Sequence, residues 1–159
     1  MLLISLCVLL YLNNSKADNI NIQYKQIIQK DSIINNYKLI EQKEQIISET
    51  VKSYLLTRSA HDYEALNEYY ADTLDNYYKY LSKSSREEVM NSEKKYWTNF
   101  KTDSFLVKSE PEIIFDSTLI QATVKGLQCP YPNDCTEEII VLKFNPSFKI
   151  TSVKAYYLK

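Results

Sequence analysis

Two carboxylates set among aromatic residues are the groups whose type and spacing could do chemistry in this chain. Val89, Glu93, Tyr96, Trp97 and Phe100 fall at i, i+4, i+7, i+8 and i+11, one helical face that is apolar except at Glu93. A carboxyl held among aromatic rings has a raised pKa and can act as an acid. The alternative for Glu93 is solvation beside Lys94 or Lys95. Asp75 lies in a tyrosine-rich strand, Leu74 to Tyr80, and is the second acid–base candidate. Asp75 alternates with Asn76, so the strand pattern leaves open which of them faces inward. A tyrosine hydroxyl would supply the hydrogen-bond donor that such a base requires.

Tyrosine is abundant, with fourteen residues. Tyr54, Tyr70, Tyr78, Trp97 and Gln121 are candidate ligand-binding residues, because aromatic faces with hydroxyls at their edges suit a flat or sugar-like molecule. Core packing with hydroxyls at the rim, in a chain also rich in Asn, Lys and Ile, accounts for the same tyrosines. His61 is the sole histidine and sits beside helix-capping residues, where exposure is expected.

Other chemistries are excluded. Gly126 is the only glycine, so no Gly-rich phosphate loop exists. No Ser-His-Asp arrangement is signalled, and no metal-ligand spacing is present. No cofactor is expected. Lys and Arg number 19 against 20 Asp and Glu, a balance without a basic block that argues against nucleic acid.

The elements that would position these residues begin with Met1 to Leu12, apolar apart from Ser5 and amphipathic Tyr11. Ser15 and Ala17 follow as small residues, so residues 1–17 read as a signal peptide cleaved after Ala17, although no Lys or Arg precedes the apolar run. An apolar run this short is a poor match to a hydrocarbon layer of roughly 30 Å, and no membrane span is expected in the mature chain. The protein is therefore expected to be secreted or periplasmic. A lipoprotein anchored at Cys7 is the alternative. Cys129 and Cys135 remain after cleavage, and in an oxidising compartment they are expected to form a disulfide across a small loop.

Residues 18–45 read as a partly helical N-terminal extension, and residues 46–159 as one domain. Ile47, Val51, Tyr54 and Leu55 form one stripe of an amphipathic helix. Ser59 with Asp62 reads as the capping box of a second helix, and Ser84 with Glu87 as that of a third. Strands follow at about 104–108, 112–115, 118–126, 137–145 and 148–158, with Asp116-Ser117 and Asn145-Pro146-Ser147 as turns. Helices first and antiparallel strands after describe an α+β domain.

This order, with the runs VKSYLLTRSAHDYEALNEYYADTLDNYY and YLSKSSREEVMNSEKKYW, resembles the nuclear transport factor 2-like (SnoaL-like) superfamily, in particular its secreted bacterial members. The resemblance covers residues 46–159 and rests on caps and core positions. It implies a cone-shaped fold, three N-terminal helices packed on a curved antiparallel sheet and enclosing a pocket. It also implies a possible homodimer through the open sheet face. Relatives include isomerases, dehydratases and cyclases as well as non-enzymatic binding domains, and fold alone does not choose among them. The expected function is an exported non-enzymatic domain that binds a small molecule or a protein partner in the cone pocket or on the open sheet face. The alternative is a small isomerase, dehydratase or cyclase that uses a pocket carboxylate and a tyrosine.

Overall fold

The computed structural model describes the backbone of residues 2–115 and 118–158, with side chains from residue 21 onward. The expected turn at Asp116-Ser117 and the side chain of Cys7 lie outside the described residues. The chain divides into two compact units, Met1–Gln42 and Lys43–Lys159. Helix α1 spans Leu2–Ser59. In the first unit Ile22, Tyr24, Ile27, Ile28, Ile33 and Ile34 are all exposed.

The second unit carries the rest of the fold. Within it, Ile47, Val51, Tyr54 and Leu55 of α1 are buried, and Arg58 continues the same stripe. Helix α1 runs through Ser59 instead of ending before it, so Ser59 is not a cap; its Oγ accepts a hydrogen bond from the Phe105 N–H at 2.9 Å. Asp62 is the N-cap of α2 (Tyr63–Asn67), its carboxylate accepting from the Ala65 N–H at 3.0 Å. The capping box of α3 (Arg86–Asn99) is Ser85 with Glu88, one residue beyond the expected pair. Val89, Met90, Glu93 and Trp97 form its buried face.

The strand expected over Leu74 to Tyr80 is β1 (Thr73–Tyr77) with the turn after it, and that turn leads into a further strand, β2 (Leu81–Ser85), paired to β1 as a hairpin. Strands β3 (Ser104–Val107), β4 (Glu112–Phe115), β5 (Ile120–Tyr131), β6 (Asp134–Phe144) and β7 (Ile150–Tyr157) complete a seven-stranded sheet. Its order is β2-β1-β7-β6-β5-β3, with β4 also paired to β5. The sheet is mixed: β1 runs parallel to β7, with Asn76 opposite Ser152, while the other pairs are antiparallel.

Strands β5 and β6 are longer than the sequence pattern suggests. Strand β5 passes through Gly126 and Pro130 and meets β6 at a tight turn, Pro132-Asn133, where Asn133 takes the left-handed conformation at φ 67°. The Cys129–Cys135 disulfide joins the two strands beside this turn, with Cα atoms 4.1 Å apart. Gly126 is required by packing. A Cβ there would lie 2.5 Å from the Leu106 carbonyl oxygen and would overlap the Phe105 ring.

Alternation along the long strands decides what faces the helices. Ala122, Val124, Gly126 and Gln128 of β5 are buried, as are Glu138, Ile140, Leu142 and Phe144 of β6. Two polar side chains, Gln128 and Glu138, thus stand on the inward face of the sheet.

Candidate functional site

Arg58 is the centre of the site. It lies eleven residues after Ile47 on the apolar stripe of α1 and is only 4 % exposed. A buried guanidinium requires partners. Its Nε donates to Glu93 Oε1 at 3.1 Å, and its Nη1 lies 3.5 Å from Asp103 Oδ2. Burial pulls the Arg58 pKa down, but the surrounding Tyr78, Glu93, Tyr54 and Asp103 outweigh it and hold the pKa well above the usual value. Asp103, in the loop between α3 and β3, also accepts from the Gln128 amide and from the Tyr96 hydroxyl, the latter at 3.2 Å.

Two rings cover the guanidinium. Its central carbon is 5.4 Å from the Tyr78 ring centre and 5.7 Å from that of Tyr96. Tyr78 reaches this position from the β1–β2 turn with φ 50°, a left-handed conformation that costs an ordinary residue roughly 1–2 kcal/mol. A hydrogen bond of 2.7 Å from its N–H to the Val153 carbonyl holds it there.

A cavity of about 70 Å³ opens beside this cluster, lined on its floor by Arg58, Glu93, Gln128 and Glu138. The walls are Tyr77, Tyr78, Tyr96 and Ser92, and the rim is Tyr80 and Tyr157. Glu138 is 2 % exposed and Glu93 is 1 % exposed. Among the described residues, Glu138 Oε2, Glu93 Oε2 and the hydroxyls of Tyr77 and Tyr78 are buried without a hydrogen-bond partner. Burial pushes the Glu138 carboxyl up to about 7, Arg58 lowers it and Asp103 adds to the rise. Burial also raises the Tyr54 hydroxyl to about 12, against an opposing effect of Arg58. Tyr70 and Tyr78 are pushed up for the same primary reason.

Of the residues singled out by type and pattern, Glu93 and Tyr78 line the cavity. Glu93 is neither solvated nor paired with Lys94 or Lys95; it is the buried partner of Arg58. Tyr54 and Tyr70 are buried above the cluster, their hydroxyls 3.2 Å apart. Trp97 packs elsewhere, its ring stacked on His61 at 4.8 Å, while His61 Nε2 is 3.1 Å from the Asp103 carbonyl oxygen. Gln121 is half-buried on β5, opposite Ile114 and Lys143, and Asp75 is exposed on β1. Neither Trp97, Gln121 nor Asp75 lines the cavity. Arg58, Asp103, Gln128 and Glu138 were not singled out. Arg58 and Glu138 carry the same signal that identifies Glu93, a charged residue on an apolar periodic face. Asp103 carries none, since it lies in a loop.

The arrangement combines one guanidinium shared by two carboxylates, a third carboxyl raised to about 7 and tyrosine hydroxyls. It can hold a small molecule that donates hydrogen bonds, or exchange a proton with one. No family model matches the chain, and no curated protein matches it. Solved structures do. A SnoaL-like protein of unknown function from Burkholderia thailandensis superposes with a TM-score of 0.59 at 14% identity, over 72% of this chain and 98% of that one. A nuclear transport factor 2-like protein from Streptomyces avermitilis, provisionally called a dehydratase, gives a TM-score of 0.61 at 14% identity over 75% and 98% of the two chains. A SnoaL-like protein from Agrobacterium tumefaciens, provisionally called an isomerase, gives 0.54 at 13% identity over 74% and 99%. This chain therefore has the nuclear transport factor 2-like fold, with helices packed on a curved mixed sheet.

Proposed function

We propose that residues 43–159 form a non-enzymatic binding domain whose cavity holds one small polar molecule. The supporting observation is that four residues lining one cavity each carry a buried polar atom without a hydrogen-bond partner among the described residues: Glu93 Oε2, Glu138 Oε2 and the hydroxyls of Tyr77 and Tyr78. Buried polar atoms normally find partners, and leaving one unpaired costs about 1–3 kcal/mol. A bound molecule would remove that cost. The cavity, at about 70 Å³, suits a head group and not a large fused-ring substrate. The Cys129–Cys135 bond supports an exported protein. Among the described residues, no helix is long and apolar enough to cross a membrane.

The second reading is an isomerase, dehydratase or cyclase with Glu138 as its base. It is favoured by a carboxyl poised near 7 beside tyrosine hydroxyls. In this reading Glu138 takes the place that pattern alone offered to Asp75, because Asp75 is in solvent.

One experiment separates the outcomes. Small amines, alcohols and carboxylic acids are added to the full chain, and backbone amide shifts are followed by NMR. Binding in the cavity moves Tyr78, Ser92, Glu138 and Tyr157 together, and Ser92→Phe, which fills the cavity from α3, abolishes the effect. Shifts elsewhere, or shifts that survive Ser92→Phe, overturn the proposal. Chemical conversion of an added compound, lost in Glu138→Gln, establishes the enzyme instead.

A further inference from the structure

The charges around the cavity do not cancel. Among the described residues Arg58 is the only cation lining it, and three carboxyls interact with that cation: Glu93, Asp103 and Glu138. The Arg58 Nε is committed to Glu93 and its Nη1 faces Asp103. Glu138 is left over. Its Oε2 has no partner among the described residues, and neither does Glu93 Oε2. Ionised, the site carries excess negative charge in a place where water cannot screen it well.

We propose that the cavity takes the ammonium group of a small primary amine, with Glu138 as its counter-ion and the body of the amine lying against Tyr80 and Tyr157. The inference rests on the small-molecule reading above and names the chemical class. An ammonium brings one positive charge and three donors with no acceptor. Glu138 and Glu93 each have an unpaired carboxylate oxygen to accept such a donor, and the lining tyrosines add hydroxyl oxygens. A carboxylic acid or phosphate would add charge of the wrong sign. An alcohol brings one donor and no charge. A bare metal ion is a poorer fit, because no group of three or more His, Cys, Asp or Glu among the described residues is arranged to hold one. At the rim Tyr80 is 81% exposed and Tyr157 60% exposed, so their rings are free to cover an alkyl or aryl body and to contribute cation–π attraction.

Burial raises the Glu138 carboxyl, Arg58 from α1 lowers it and Asp103 from the loop after α3 raises it; Tyr78 from the β1–β2 turn, Glu93 from α3 and Tyr157 from β7 are the other titratable groups around the cavity. Glu138 is pushed to about 7. Amine binding should therefore strengthen as pH rises from 6 to 8, while the amine itself stays protonated, by about tenfold across that range.

The test uses the full chain with n-butylamine, n-butanol and butyrate, titrated by NMR at pH 6 and pH 8 on the Tyr78, Ser92, Glu138 and Tyr157 amides. The expected result is butylamine binding at least about tenfold tighter than n-butanol at pH 8, with butyrate weaker than both. Glu138→Gln should remove both the preference and the pH slope, and Glu138→Asp should retain part of each. If n-butanol or butyrate binds as tightly as butylamine in a Ser92→Phe-sensitive manner, the amine inference falls and the binding pocket stands. The same follows if Glu138→Gln changes nothing. If none of the three probes moves these residues, both fall.

Discussion

Glu93 and Glu138 border the same cavity from opposite layers, and their circumstances differ. Glu93 projects from α3 into contact with the Arg58 Nε at 3.1 Å, so its charge is matched by a neighbour at fixed distance. Glu138 projects from β6, equally buried, with no cation assigned to it, and its carboxyl is raised to about 7. The difference shows how one cavity holds a structural carboxylate and a responsive one. Pairing makes the first part of the scaffold. Lack of pairing leaves the second free to take up a proton or a ligand.

The comparison is broken most severely at Arg58. Arg58→Met should leave Glu93 and Asp103 buried without their counter-ion and cost about 3–5 kcal/mol in denaturant unfolding. Adding Glu93→Gln to that variant should recover part of the loss. If Arg58→Met is tolerated, the two carboxylates are not held apart by pairing and the contrast fails.

Glu138→Gln should act in the opposite direction and only at higher pH. The folded-state pKa of Glu138, about 7, lies above the ordinary 4.5. The folded protein thus binds the extra proton between those values, and stability falls as pH rises from 4.5 through 7. Removing the charge should make the variant more stable than the parent at pH 8, by up to about 3 kcal/mol, and the two should converge below pH 4.5. Equal melting behaviour at both pH values would show that Glu138 is matched by a partner after all.

The smallest effect is expected at the disulfide. It ties β5 just past Gln128, which holds Asp103, to the start of β6, which carries Glu138. Replacing Cys129 and Cys135 by Ser should cost about 2 kcal/mol. It should loosen the paired half and the unpaired half alike, read as faster amide exchange at Gln128 and Glu138. Exchange confined to one strand would show that the two halves are positioned independently.

Much of the scaffold was legible in the residues. The stripe from Ile47 to Leu55, the capping residues before α3 and the alternation along β6 each encode local structure, because a helix and a strand impose fixed periods on what is buried. The shift of one residue in the α3 cap and the end of β1 at Tyr77, short of Tyr80, reflect choices between neighbouring options, such as Ser84 and Ser85, that local sequence leaves nearly equal. The candidate site was legible only in part. Glu93 announced itself by interrupting an apolar face. Arg58 and Glu138 do the same, but an isolated pattern does not say that the three faces converge.

Residue periodicity and chemistry close in the chain were enough for the helical stripes, most of the strands, the cysteine pair and the fold class. Only the tertiary structure decided which carboxylate would be neutralised. Arg58 and Glu93 are 35 residues apart, and Asp103 reaches them from a loop with no periodic signal. A charge pair of a few ångströms depends on where three separate elements meet, and no local rule of sequence carries that distance.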